Sequence, residues 1–154
     1  MTNHVDHLLA IASALADEGR LRALLAIRRA GELCLCQITE LLALAPSTVS
    51  RHLSILRQAG LIEARKQGRW IHFHLPEHQQ APPVVRGAIE WVTSSLARDP
   101  RAVEDARRLK QILAEDPERL CKRQCEKRAC CSSAPATPAA ARWPKAGRAT
   151  SAAT

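Results

Sequence analysis

The stretch "QITELLALAPSTVSRHLSILRQAGLIEARKQGRWIHFH", Gln37 to His74, changes its apolar period once, and that change decides the fold. Its first part reads as two short helices. Gln37 to Leu44 is halted before Pro46, because the residue preceding a proline is pushed out of helical geometry. The second helix follows, capped by Ser47 and running to Ala59, with Gly60 as terminator. Val49, Leu53 and Leu56 recur at spacings of four and three and should point inward. Beyond Gly60 the period becomes two: "LIEARKQGRWIHFHL" alternates apolar and polar residues around a turn near Gln67 and Gly68, which predicts a β-hairpin. Two helices joined by a tight connection, then a hairpin, make a winged helix-turn-helix.

The chemistry of the exposed positions suits a polyanion. Ser47, Thr48, Ser50, Arg51 and His52 open the second helix, where side chains of a recognition helix meet base edges and phosphates. Arg65, Lys66 and Arg69 crowd the hairpin, which would act as a wing on flanking backbone or minor groove. The formal net charge of +8 suits nucleic acid or an anionic membrane, and together with the helix-turn-helix and wing it favours a double-stranded DNA partner. A membrane partner finds no support: the longest apolar run, Leu8 to Ala16, is too short to span a bilayer. The polar start "MTNHVDH" has no signal-peptide layout, and the expected location is the cytoplasm.

The rest of the chain supports a mainly α fold with that small hairpin. With 154 residues, 46% apolar but only 3% aromatic, the core must be built from Leu, Ile, Val and Ala. Val5, Leu8, Leu9, Ala12 and Leu15 form one helical stripe, and Leu21, Leu24, Leu25 and Ile27 a second that ends at Gly31. Val85, Ile89, Val92 and Leu96 follow a 4-3-4 spacing that suits packing on a partner helix. A last helix is expected over about Arg101 to Ala114. The domain reading is a winged helix-turn-helix DNA-binding and dimerisation domain over 1–98, a helical Cys-rich extension over 99–131, and a disordered Ala/Pro-rich tail over 132–154. A homodimer is expected, because one recognition helix reads only a half-site and the first and fifth helices carry apolar stripes to pair.

Six cysteines fall in two clusters, Cys34 and Cys36, then Cys121, Cys125, Cys130 and Cys131. In a reducing compartment this uneven spacing points to metal, metalloid or redox chemistry rather than a disulfide framework. Cys34 and Cys36 stand at the entrance of the third helix, whose dipole and unpaired N–H groups favour thiolates. A thiolate pair is a soft ligand set, suited to arsenite, antimonite, cadmium or copper(I). Residues two apart diverge on an ideal helix, so both reach one ion only where the helix start is non-helical or unwinds. Cys121 and Cys125, four apart, would share a helix face. The second cluster could complete the first site, form its own, or be a thiol-rich tail without a role. His72 and His74, and His4 and His7, read as DNA-facing or solvated rather than as ligands.

"ELCLCQITELLALAPSTVSRHLSILRQAGLIEARKQGRWIHFHL" resembles the core of the ArsR/SmtB family of bacterial metal-sensing repressors, in its arsenic-responsive branch, over about Asp6 to Leu96. The resemblance implies a homodimer that binds an inverted-repeat operator without a cofactor and lets go when As(III) or Sb(III) binds its cysteines. It also leads one to expect a third cysteine where this chain has Thr39. "VVRGAIEWVTSSLARD" has no His, so the Asp/His site of zinc-sensing relatives is missing. Two rivals remain: a repressor of the same fold responding to oxidants or persulfides, and a cysteine-dependent enzyme such as an arsenate reductase. Against the enzyme, no cysteine here begins the Cys-x5-Arg pattern of such a reductase, and no Gly-rich loop or Ser/His/Asp set appears.

Overall fold

The computed structural model describes residues 4–127. Seven helices and three strands follow in the order α1 (His4–Leu15), α2 (Glu18–Ala30), β1 (Glu32–Cys34), α3 (Leu35–Leu42), α4 (Pro46–Gln58), β2 (Glu63–Gln67), β3 (Trp70–His74), α5 (Pro83–Ser95), α6 (Pro100–Ala114) and α7 (Pro117–Lys127).

Local chemistry sets most of these boundaries. Asp17 caps α2, its carboxylate accepting from the Arg20 N–H at 3.0 Å. Gly31 closes that helix at φ 84°, a conformation costly for a residue with a Cβ, and donates its N–H to the Ile27 carbonyl at 2.9 Å. α3 ends at Leu42, two residues before the expected stop, because Ala43 adopts the left-handed conformation at φ 54°. The start of α4 also differs from expectation. Ala45 is the extended residue ahead of it, Pro46 occupies the first turn, and Ser47 lies inside the helix rather than capping it. A proline in the first turn costs no hydrogen bond, since that N–H would be orphaned in any case.

The wing is larger than the predicted hairpin. β2 and β3 pair antiparallel from Glu63 opposite His74 to Gln67 opposite Trp70, with Gly68 at φ 62° in the turn. A third strand, β1, joins the other edge of β3, placing Leu33 opposite Phe73 and Cys34 opposite His72. Three residues leave almost no alternation to read, which is why "ELC" passed for the approach to a helix.

One core unites the helices. Leu24, Ile27, Leu33, Ile38, Leu53 and Leu56 are each 1% exposed or less. Val49, Leu53 and Leu56 of α4 point inward as their spacing predicts. The α5 stripe does too, with a consequence for dimerisation: Val85, Ile89 and Val92 are buried within this chain and are not free for a partner helix. The α1 stripe does the reverse. Ile11 and Ala14 enter the core, whereas Val5, Leu8 and Leu9 are 57%, 55% and 61% exposed. α6 and α7 fold back on α2 and α3, bringing Ala102, Leu109, Ile112 and Leu120 into the same apolar cluster. No helix among the described residues is long and apolar enough to cross a membrane. The predicted tail over 132–154, with Cys130 and Cys131, lies outside the described residues.

Candidate DNA-reading surface and thiol site

At the start of α4, Ser47, Thr48, Ser50 and Arg51 are exposed, as a reading surface requires. His52 corrects the expectation for that helix. Its side chain is only 13% exposed, with Nε2 3.8 Å from Asp17 Oδ1 and Nδ1 buried without a hydrogen-bond partner. It is wedged against the first turn of α2, where a Cβ on Gly19 would come within 3.0 Å of the ring. His52 thus braces α4 against α2 instead of facing outward. Asp17 feels the ring in turn. Burial pushes its carboxyl pKa up, but the Arg20 backbone N–H and the nearby His52 and Arg20 charges outweigh that and hold it below the usual carboxylate value.

On the wing, Lys66 is exposed and Arg65 donates to Glu32 of β1 at 2.7 Å, so a β1 carboxylate already neutralises one of the three predicted cations. Arg69 lies 5.3 Å from the centroid of the Trp70 ring and pairs with Glu118 of α7. The sequence offered no sign of that last contact, since 49 residues separate its partners.

The thiols occupy a junction. Cys34 is the last residue of β1 and the extended residue ahead of α3, its N–H held by the Gln37 side-chain oxygen at 3.0 Å. Cys36 follows within the first turn of α3. The non-helical entrance that a shared ligand would need is therefore present. Both cysteines line a cavity of about 280 Å³ whose other walls are Leu53 and Ser54 of α4 and Trp70 and Phe73 of the wing. Cys34 is buried as a free thiol.

Cys36 carries a disulfide to Cys121, 85 residues away, with the two Cα atoms 5.6 Å apart. This departs from the expectation that the cysteines are not a disulfide framework. The reason is the return of α7 onto α3, a tertiary event that cysteine spacing does not encode. Thr39, in the place of the expected third cysteine, is buried and donates its hydroxyl to the Leu35 carbonyl at 2.8 Å. Leu120, Gln124 and Arg123 complete the docking of α7. Leu120 is fully buried, Gln124 donates to the Cys36 carbonyl at 2.9 Å, and Arg123 reaches Glu40 at 3.6 Å. Among the described residues, no group of three or more His, Cys, Asp or Glu side chains forms a ready-made metal cluster.

With this architecture in view, residues 17–64 match the model of the family described as bacterial regulatory protein, arsR family. The arsenic resistance transcriptional regulator ArsR2 of Pseudomonas putida is 34% identical over 103 residues, covering 60% of this chain and 90% of ArsR2. The chain belongs to the arsR family. ArsR1 of the same organism, also an arsenic resistance transcriptional regulator, is 40% identical over 81 residues, which cover 53% of this chain and 62% of ArsR1. The chain therefore spans less than two thirds of ArsR1's length. Among solved structures, HlyU from Vibrio cholerae superposes with a TM-score of 0.53 at 26% identity, over 64% of this chain and all of HlyU. The family match runs from the start of α2 into β2, the fold is that of a winged helix-turn-helix, and the family is one of regulatory proteins. The match of the family model stops at residue 64, well before α6 and α7 begin.

Proposed function

We propose that this arsR-family chain is a homodimeric transcriptional repressor that binds an inverted-repeat DNA operator and releases it when As(III) or Sb(III) binds its thiolates. One observation carries the reading: Cys34 and Cys36 share a cavity whose opposite walls are the recognition helix and the wing. A ligand drawn between these sulfurs changes the start of α3, and α3 packs directly on α4. That ArsR1 and ArsR2 are named arsenic resistance transcriptional regulators supports the arsenic part of the reading.

Ser47, Thr48, Ser50 and Arg51 would contact base edges and phosphates, with Lys66, Arg65 and Arg69 adding wing contacts to the backbone. Cys34 and Cys36 would supply two sulfurs and Cys121 the third in its reduced form, because α7 brings Cys121 to Cys36 while Thr39 has no sulfur to give. Arsenous acid would lose its hydroxyls as water, each taking one thiol proton. Weakening operator binding tenfold needs only ~1.4 kcal/mol of difference in inducer affinity between the two states. The protein needs no cofactor to bind DNA in this scheme.

The test is fluorescence anisotropy of a labelled operator duplex with reduced protein, titrated with arsenite and antimonite. Release from the wild type but not from Cys34→Ser/Cys36→Ser supports the reading, and Cys121→Ser measures the third sulfur's share. A complex that stays intact at saturating arsenite refutes it.

A further inference from the structure

α7 is poorly equipped to dock by itself. It has 11 residues, "PERLCKRQCEK", and Leu120 is its one buried apolar side chain among those described. An isolated helix of that length is marginal in water. What holds it to α3 is the Cys36–Cys121 bond, with Gln124 on the Cys36 carbonyl and Arg123 on Glu40. Docked there, its first turn carries Glu118 to the wing, where the carboxylate pairs with Arg69. Arg69 is a cation of the proposed reading surface, and a carboxylate on its guanidinium competes with a DNA phosphate for the same donors. The cross-link is thus placed to control a charge on the wing.

We propose that Cys36 and Cys121 form an oxidation-sensitive dithiol whose disulfide latches α7 across the wing and withdraws Arg69 from DNA, giving this protein a hydroperoxide input beside its arsenic input. The proposal rests on the DNA-reading part of the function above and not on arsenic binding. One thiolate attacks the terminal oxygen of a hydroperoxide; the O–O bond breaks, an alcohol or water leaves with a proton, and a sulfenic acid remains. The second thiolate attacks that sulfur, the S–O bond breaks, water leaves, and the disulfide forms. Two electrons pass from the two sulfurs to the peroxide. In the reduced protein α7 is held only by Leu120 and by Gln124 and Arg123 on α3, so DNA phosphates displace Glu118 and recover Arg69. Thiol reductants reopen the latch.

The experiment compares the full chain, reduced or treated with hydrogen peroxide, as wild type, Cys121→Ser and Glu118→Gln. Peptide mass mapping identifies the bond formed, and anisotropy with a 30-base-pair duplex across a salt series gives affinity and salt slope. In the wild type, peroxide should link Cys36 to Cys121, weaken binding on the order of tenfold and reduce the salt slope by about two, one phosphate contact per protomer of a dimer. Cys121→Ser should show neither change. Glu118→Gln should still form the bond but keep most of its affinity and slope, an outcome that a purely structural disulfide would not produce. A Cys36–Cys121 bond that leaves wild-type binding unchanged overturns the latch, as does an equal loss in Glu118→Gln or a bond to Cys125, Cys130 or Cys131 instead. Reduced wild type that fails to bind duplex DNA overturns the DNA reading itself, and the latch with it.

Discussion

Arg22 of α2 grips Asp105 of α6 with two parallel hydrogen bonds, Nε to one carboxylate oxygen at 2.7 Å and the terminal nitrogen to the other at 2.8 Å. These side chains are 23% and 13% exposed, and the carboxylate holds the guanidinium pKa above its ordinary value. The pair joins the helix-turn-helix core to the C-terminal helices.

Removing one partner leaves a charge with little water to replace it. Arg22→Met should lower unfolding stability by about 2 kcal/mol, read from the urea midpoint at unchanged slope. Arg22→Lys should recover little, because an ammonium cannot fork onto both oxygens. A lysine variant as stable as the wild type would show that charge alone matters there.

Asp17 makes the fold sensitive to acid. Its folded pKa lies below the ordinary value of 3.8, so the stability it contributes is complete above that value and is lost as pH falls through the folded pKa. Asp17→Asn keeps the helix cap without the charge. The stability gap between wild type and Asp17→Asn should therefore be full near pH 5 and shrink below pH 3.8. Thermal denaturation from about pH 3 to 5 measures it. A gap that widens as pH falls below about 5 contradicts the assigned direction.

His52 and Arg51 are neighbours in sequence with opposite roles in the structure. Arg51 is exposed on the proposed reading surface, whereas His52 is packed on the first turn of α2. Arg51→Ala should weaken duplex binding and lower the salt slope by about two per dimer, with stability changed by less than about 0.5 kcal/mol. His52→Ala should do the reverse, costing about 1 kcal/mol of stability and leaving the slope unchanged. A slope that falls with His52→Ala would return that ring to the DNA.

The same pair shows what a sequence can disclose. Periodicity and proline boundaries located every helix through α6, and spacings of three and four gave the inward face of α4 and the apolar stripe of α5. It could not tell what buries a stripe: Val85, Ile89 and Val92 read as a surface for a partner and meet the chain's own core. His52 carried a surface residue's chemistry into a packed position, and only the approach of Gly19 explains it. Contacts between distant positions, Cys36 with Cys121 and Arg69 with Glu118, had no local signal. The thiol pair at 34 and 36 was legible because its spacing and its place before a helix are local facts.

We propose that the apolar groups left outside the core form the interface of the dimer proposed above. Leu8 and Leu9 of α1 are 55% and 61% exposed, Trp91 of α5 is 65% exposed, and α1 packs against α5. An exposed indole on one of two packed helices and exposed leucines on the other have the composition of an interface centre, where aromatic anchors contribute most of the binding energy. The 4-3-4 stripe of α5 cannot serve, being already buried, so the partner must meet the outer faces of both helices. Leu9→Glu and Trp91→Glu should each give a monomer by sedimentation equilibrium at micromolar concentration. Neither should lower helix content, since neither side chain enters this chain's core. Each should also lose affinity for a full inverted repeat far more than for a half-site, because a monomer presents one recognition helix. A double-glutamate variant that remains dimeric would move the interface elsewhere, with the exposed Val103 and Leu113 of α6 as the next surface to change.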